Sequence, residues 1–185
     1  MTPAKASLAL LLALAVLLLP PVAGAARVRI EYVGGTRAER VQVEKALDAS
    51  SFGWNLIPAT IVVHIERGSI SRAGRGEIWL EADLLDAGVF AWATVLDEFA
   101  HQVDFFLLTP EMRTTLELAL HAKAWCYENS SYPAHSQQGC ERFSSMLPWA
   151  YWRSRDNAYR PMSTSDESAS MAPAKFRALL NRLLA

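Results

Sequence analysis

A chain of 185 residues, 51% apolar and with a formal net charge of −1, is long enough for one folded domain and short for two. Acidic and basic residues alternate in small groups. No basic block points to nucleic acid, and no acidic tail points to a solvating role.

Lys5 precedes an unbroken apolar run from Leu8 to Leu19, then Pro20-Pro21 and the small residues Ala23-Gly24-Ala25-Ala26. A basic start, an apolar stretch and an Ala-x-Ala site are the layout of a Sec signal peptide. As a helix this run rises only about 18 Å, short of a bilayer's roughly 30 Å hydrocarbon core. Cleavage before Ala26 divides the chain into a signal peptide, 1–25, and a single domain, 26–185. The competing reading is an uncleaved anchor. There is no twin-Arg, and no Cys at the cleavage point. The expectation is a secreted, extracellular, monomeric protein without a stable membrane anchor after cleavage.

Val28 to Val33 alternates apolar and polar residues, the pattern of a half-buried strand, and Gly34-Gly35 turns the chain. Thr36, with Glu39 three residues on, is a capping box that opens a helix toward Asp48. Ile61-Val62-Val63-His64-Ile65 is a β-branched strand run, in which His64 reads as a core or edge histidine. Gly68, Gly74 and Gly76 mark a turn region, and Glu77 to Ala82 alternates as a further strand. The strongest helix is expected over Val89 to Leu108, where Leu96, Phe99, Val103 and Phe106 form one apolar stripe. Thr109-Pro110-Glu111 supplies an N-cap, a proline at the first helical position and an early acid, opening a helix to about Trp125. His121 on it reads as a surface or packing residue.

Cys126 and Cys140 are the only cysteines. Export favours a disulfide between them, closing a loop of about 15 residues worth roughly 3 kcal/mol. The alternative is two reduced, buried thiols. Asn129 to Gly139 is polar and turn-rich, and its Asn129-Ser130-Ser131 sequon matters only if the source glycosylates exported proteins. Glu141 to Trp152 and Pro173 to Leu184 read as helices. Ser154 to Ser170 reads as a polar connection and the most mobile part of the domain. The six tryptophans read as core. Together these elements predict an α+β domain with a short mixed sheet and later helices.

Asp97-Glu98-Phe99-Ala100-His101 stands one residue away from His-Glu-x-x-His, where two imidazoles bind zinc and the glutamate works on a water. Asp97 and His101 share a helix face, Asp104 continues it, and Glu98 projects about 100° away from Asp97. Ionisable groups in so apolar a segment are costly to bury without partners. A metal held by Asp97, His101 and a third ligand is one solution, with Glu141 the best candidate for the third. A solvated or ion-paired helix face is the other.

Asp97-Glu98-Phe99-Ala100-His101-Gln102-Val103-Asp104 resembles the His-Glu-Phe-x-His-x-x-Asp helix of gluzincin metallopeptidases, most closely the family of the anthrax lethal factor catalytic domain. Glu141-Arg142-Phe143-Ser144 resembles the segment carrying that family's ligand Glu, apart from the final Ser, and the likeness spans roughly Ile61 to Trp152. The resemblance implies a zincin-like fold in which an edge strand, placed at Ile78 to Leu80, lines the cleft. It implies Glu98 as general base, His101 and Glu141 as metal ligands, and Asp104 orienting a ligand from behind. It also implies an oxyanion-stabilising Tyr, for which Tyr132 is the nearest upstream residue; His135 is an equal candidate donor.

Asp97 departs from the family pattern. Its side chain is short, and with Glu141 it makes an oxygen-rich site that tilts preference from zinc toward manganese, or leaves no metal bound. Two functions follow from the resemblance: a metal-dependent hydrolase acting on a peptide or protein substrate, or an inactive zincin-fold protein that binds such a partner.

Overall fold

Thr36 opens the first helix as its sequence predicts: its hydroxyl accepts from the Glu39 N–H at 3.3 Å, and the Glu39 carboxylate accepts from the Thr36 N–H at 2.5 Å. The structure, a computed structural model, describes residues 28–126 and 133–185. The signal peptide 1–25, the sequon at Asn129 and Tyr132 lie outside the described residues.

Strand β1 is Arg29–Gly34, followed by helix α1, Arg37–Ala49. Then come β2 (Thr60–Glu66), β3 (Arg72–Gly74) and β4 (Glu77–Glu81). Five helices follow: α2 (Ala82–Asp86), α3 (Trp92–Leu107), α4 (Pro110–Ala119), α5 (Gly139–Tyr151) and α6 (Pro173–Leu183). The domain is thus mixed α and β, with a four-stranded sheet in the order β1-β2-β4-β3. β1, β2 and β4 run parallel, with Ile30 beside Ile61 and Val63 beside Ile78, and β3 runs antiparallel to β4. Parallel neighbours require a crossover, which α1 provides between β1 and β2.

The edge strand is a correction to the sequence reading. Ile78 to Leu80 lies in β4, inside the sheet, and the edge is β3, which the sequence reading left within a turn region. The reason is Gly76, whose φ of +83° lets the chain reverse after Arg75 and lay three residues back along β4. Gln102 of α3 pins this hairpin. Its amide donates to Gly74 O at 2.8 Å and Glu77 O at 3.2 Å, and its Oε1 accepts from Gly76 N at 2.8 Å.

Ile61, Val63, Ile78 and Leu80 are fully buried in one core with Leu96, Phe99 and Val103 of α3. Helix α3 packs against both α1 and α5, and every residue from Val95 to Asp104 is buried, a wider burial than the single stripe predicts. It begins at Trp92 because Gly88–Ala91 forms a 3₁₀ turn, itself preceded by the unpredicted α2, whose cap Glu81 accepts from Asp83 N. Thr109 caps α4 as expected, accepting from Met112 N. That helix stops at Ala119 rather than near Trp125, because the exposed His121 adopts φ +56°, a left-handed terminator.

The polar connection Ser154 to Ser170 is hydrogen-bonded to α5 through Asn157. Buried Asn157 donates to Pro148 O at 3.1 Å and Trp152 O at 2.9 Å and accepts from Tyr159 N at 2.8 Å, fastening the segment to α5. Its polar composition reflects hydrogen bonds turned inward, not only solvation. No helix of the described residues is long and apolar enough to cross a membrane.

Cys126 and Cys140 are joined by a disulfide, with Cα atoms 5.7 Å apart. It fastens the segment after α4 to the first turn of α5, beside the backbone bonds Lys123 N to Gln137 O and Gly139 N to Ala124 O. Replacing both cysteines by serine is expected to lower stability by about 3 kcal/mol. The urea midpoint should fall at constant m. An unchanged midpoint would mean that those backbone bonds alone hold the two segments together.

Candidate functional site

The ionisable residues of α3 are buried, as the apolar frame of their helix requires: Asp97 and His101 are 8% exposed, Glu98 5% and Asp104 0%. Asp97, Glu98 and His101 each bring one potential ligand atom within 4.8 Å of the others. Glu141, in the first turn of α5, faces them, with its Oε2 3.7 Å from His101 Nε2. Gly139 lets the start of α5 pack directly on the Trp125 ring, which a Cβ there would overlap.

These side chains lie in a cleft of about 590 Å³. Arg72 and Ala73 of the edge strand β3 form one wall, and His135, Glu141 and Glu167 line the other. His135 stands in the 3₁₀ turn His135–Gln137 just before α5. Its Nε2 is 3.0 Å from Glu141 Oε2, and its Nδ1 is 2.8 Å from Glu167 Oε1. Ser145 donates to the other Glu167 oxygen at 2.9 Å. Tyr159, held by Asn157, also borders the cleft.

Burial pushes the Asp97 carboxyl up to about 6, against the pull of His101 and the Ser144 hydroxyl. Glu98 is pushed up to about 8 by burial, with the Asp97 charge adding to it. Burial alone would lower His101, yet Glu141 and the carboxylates of Asp97 and Glu98 outweigh it and raise the imidazole to about 9. Glu141, despite its own burial, is held below the ordinary carboxylate range by His101 and His135. Burial and four nearby carboxylates drive the Tyr159 phenol far above its usual value.

Asp97 Oδ1 and His101 Nδ1 are both buried without a hydrogen-bond partner. An orphaned carboxylate oxygen beside imidazole and carboxylate donors fits a divalent ion, and the oxygen-rich set suits manganese as well as zinc.

The structure brings Asp97, Glu98, His101 and Glu141 to one cleft. Asp104 is a correction. Its Oδ1 accepts from Arg113 Nε at 2.7 Å, and Trp125 Nε1 donates to its two oxygens at 3.2 and 3.1 Å, while it makes no hydrogen bond to His101. Three residues turn a helix by about 300°, so Asp104 stays near the face of His101, and it is the docking of α4 that brings Arg113 onto its carboxylate. The second metal-type cluster, Cys126 and Cys140 with Glu141, is disposed of by the disulfide.

Tyr159 and Glu167 border the cleft, and Gln102 holds the hairpin beside it, with no local sequence pattern that anticipates them. Gln102 inside the motif helix was the one legible signal, as an amide among apolar residues needs a buried partner. Comparison with protein-family models, with curated proteins and with solved structures finds no match to this chain.

Proposed function

We propose that this chain is a zincin-type, divalent-metal-dependent hydrolase of peptide bonds, exported by a Sec signal peptide. One observation carries the reading. Asp97, Glu98 and His101 lie buried on one helix, opposite Glu141 of a second helix, in a cleft bordered by the edge of a sheet. His101, Glu141 and Asp97 would hold the ion, zinc or manganese. When bound, it supplies a Lewis acid that polarises a carbonyl and acidifies a water.

The remaining work falls to the chain. Burial and the Asp97 charge raise the Glu98 carboxyl to about 8; a cation held on the same turn would lower it again, leaving Glu98 free to take a proton from the attacking water and return it to the leaving amine. The open edge of β3 offers backbone groups to an extended peptide, as strand addition requires. Arg72 stands on that edge beside the cleft and favours an acidic side chain on the substrate. The buried floor keeps bulk water from the reacting carbonyl.

A second reading has its own observation. His101 and His135 already meet Glu141 at 3.7 and 3.0 Å, so the cluster is partly satisfied by internal ion pairs. An inactive protein that keeps the cleft for a peptide partner would look the same.

Metal analysis of the purified protein, with hydrolysis of a broad peptide library, separates the two. The expected result is stoichiometric zinc or manganese, with chelation both lowering Tm and stopping hydrolysis. His101→Ala should abolish metal binding. Absence of bound metal under supplementation, with Tm unmoved by chelator, overturns the hydrolase. Bound metal without cleavage of any peptide selects the binding protein.

A further inference from the structure

Resting on the metal-centre reading, we infer that His135 is a ligand of that centre, replacing in space the imidazole that the chain lacks at Asp97. Two imidazole nitrogens, His101 Nε2 from α3 and His135 Nε2 from the turn before α5, converge on the same oxygen of Glu141, at 3.7 and 3.0 Å. His135 Nδ1 lies 2.8 Å from Glu167 Oε1, and the second Glu167 oxygen is held by the Ser145 hydroxyl. A carboxylate on the far nitrogen is how proteins aim an imidazole at a metal and set its tautomer. With Nδ1 on Glu167, His135 holds Nε2 3.0 Å from Glu141 Oε2, the geometry of either a protonated imidazole or a metal ligand. Such an approach calls for a cation between them, a proton or a metal ion.

A simple ion pair explains His135 less fully. Its side chain is 69% exposed while those of Glu141 and Glu167 are 18% and 19% exposed, so it enters the cleft from the rim, and a single protonated imidazole balances only one of the two carboxylates it meets. The cleft it faces also contains the unpartnered Asp97 Oδ1, on a residue only 8% exposed. Asp97 and His101 already lie within mutual ligand distance, and Glu141 and His135 would close on the ion beside them, with Glu167 orienting His135. This arrangement restores two nitrogens to the donor set and moves preference back toward zinc.

The test is zinc affinity of the purified protein by competition with a chromogenic chelator, together with the visible absorption of the cobalt(II)-loaded protein. His135→Ala is expected to weaken zinc by more than about 100-fold, beyond the roughly 10- to 100-fold that supporting partners carry. Glu167→Gln should fall within that smaller range. The cobalt spectrum should change in His135→Ala, while far-UV circular dichroism and the metal-free Tm stay those of the wild type. If His135→Ala keeps wild-type zinc affinity and cobalt spectrum while His101→Ala loses both, His135 is no ligand and the inference falls with the metal centre intact. If the wild type itself takes up neither zinc nor cobalt, the metal-centre reading falls, and this inference with it.

Discussion

Glu98→Gln is expected to lower peptide hydrolysis by about 10²- to 10⁴-fold while leaving metal affinity and fold unchanged. Glu98 is 5% exposed, borders the cleft and sits one residue from Asp97 and three from His101. Glutamine has the same shape, so packing around the site survives, but it cannot take up a proton at neutral pH. The loss should fall on kcat, with KM little changed, because the proton is moved in the transition state rather than on binding. Zinc competition and thermal melting on the same preparation separate this from a collapsed site. A variant that hydrolyses peptides at the wild-type rate removes Glu98 from the mechanism.

Arg113→Ala is expected to destabilise the domain by roughly 3–5 kcal/mol, the usual consequence of removing one partner from a buried ion pair. Asp104 is 0% exposed, and Arg113 meets it twice, through Nε on the carboxylate at 2.7 Å and through a terminal nitrogen on the backbone carbonyl at 3.0 Å. The Trp125 N–H stays behind but cannot neutralise a charge. The effect has a predictable pH dependence. Burial raises the Asp104 carboxyl, and Arg113 opposes that rise. An acid whose folded pKa exceeds its unfolded value of about 3.9 binds protons more tightly when folded, so stability falls as pH rises through that interval. Removing Arg113 widens the interval. The variant should therefore be closest to wild type in acid and furthest from it at neutral pH and above. Urea titrations at acid and neutral pH check this, and an equal deficit at both would mean that lost packing of the Arg113 stem, not charge, is responsible.

Glu98 and the Asp104–Arg113 pair differ in how far local sequence reveals them. Glu98 stands out in the sequence because local spacing places it on a helix face beside Asp97 and His101. Asp104 is visible in the same motif, yet its partner is not. Arg113 lies on the next helix, and whether Asp104 turns to it or to His101 depends on how α4 docks against α3. The edge strand fails for a related reason. Arg72–Gly74 is too short to show an alternating pattern, and only pairing with β4 makes it a strand.

The sequence alone determined the capping box at Thr36, the strands around Ile30, Val63 and Trp79, the buried helix carrying Asp97 to His101, the only cysteine pair available, and a second helix able to present Glu141. Each follows from spacing within a few turns of chain or from a count of two. Only the tertiary structure decided that β3 borders the cleft, that Asp104 serves Arg113, and that His135, Tyr159 and Glu167 surround Glu141. The physical reason is that packing between distant segments leaves no period in the sequence. A polar residue in a connecting stretch reads as solvated until the fold shows which buried charge it faces.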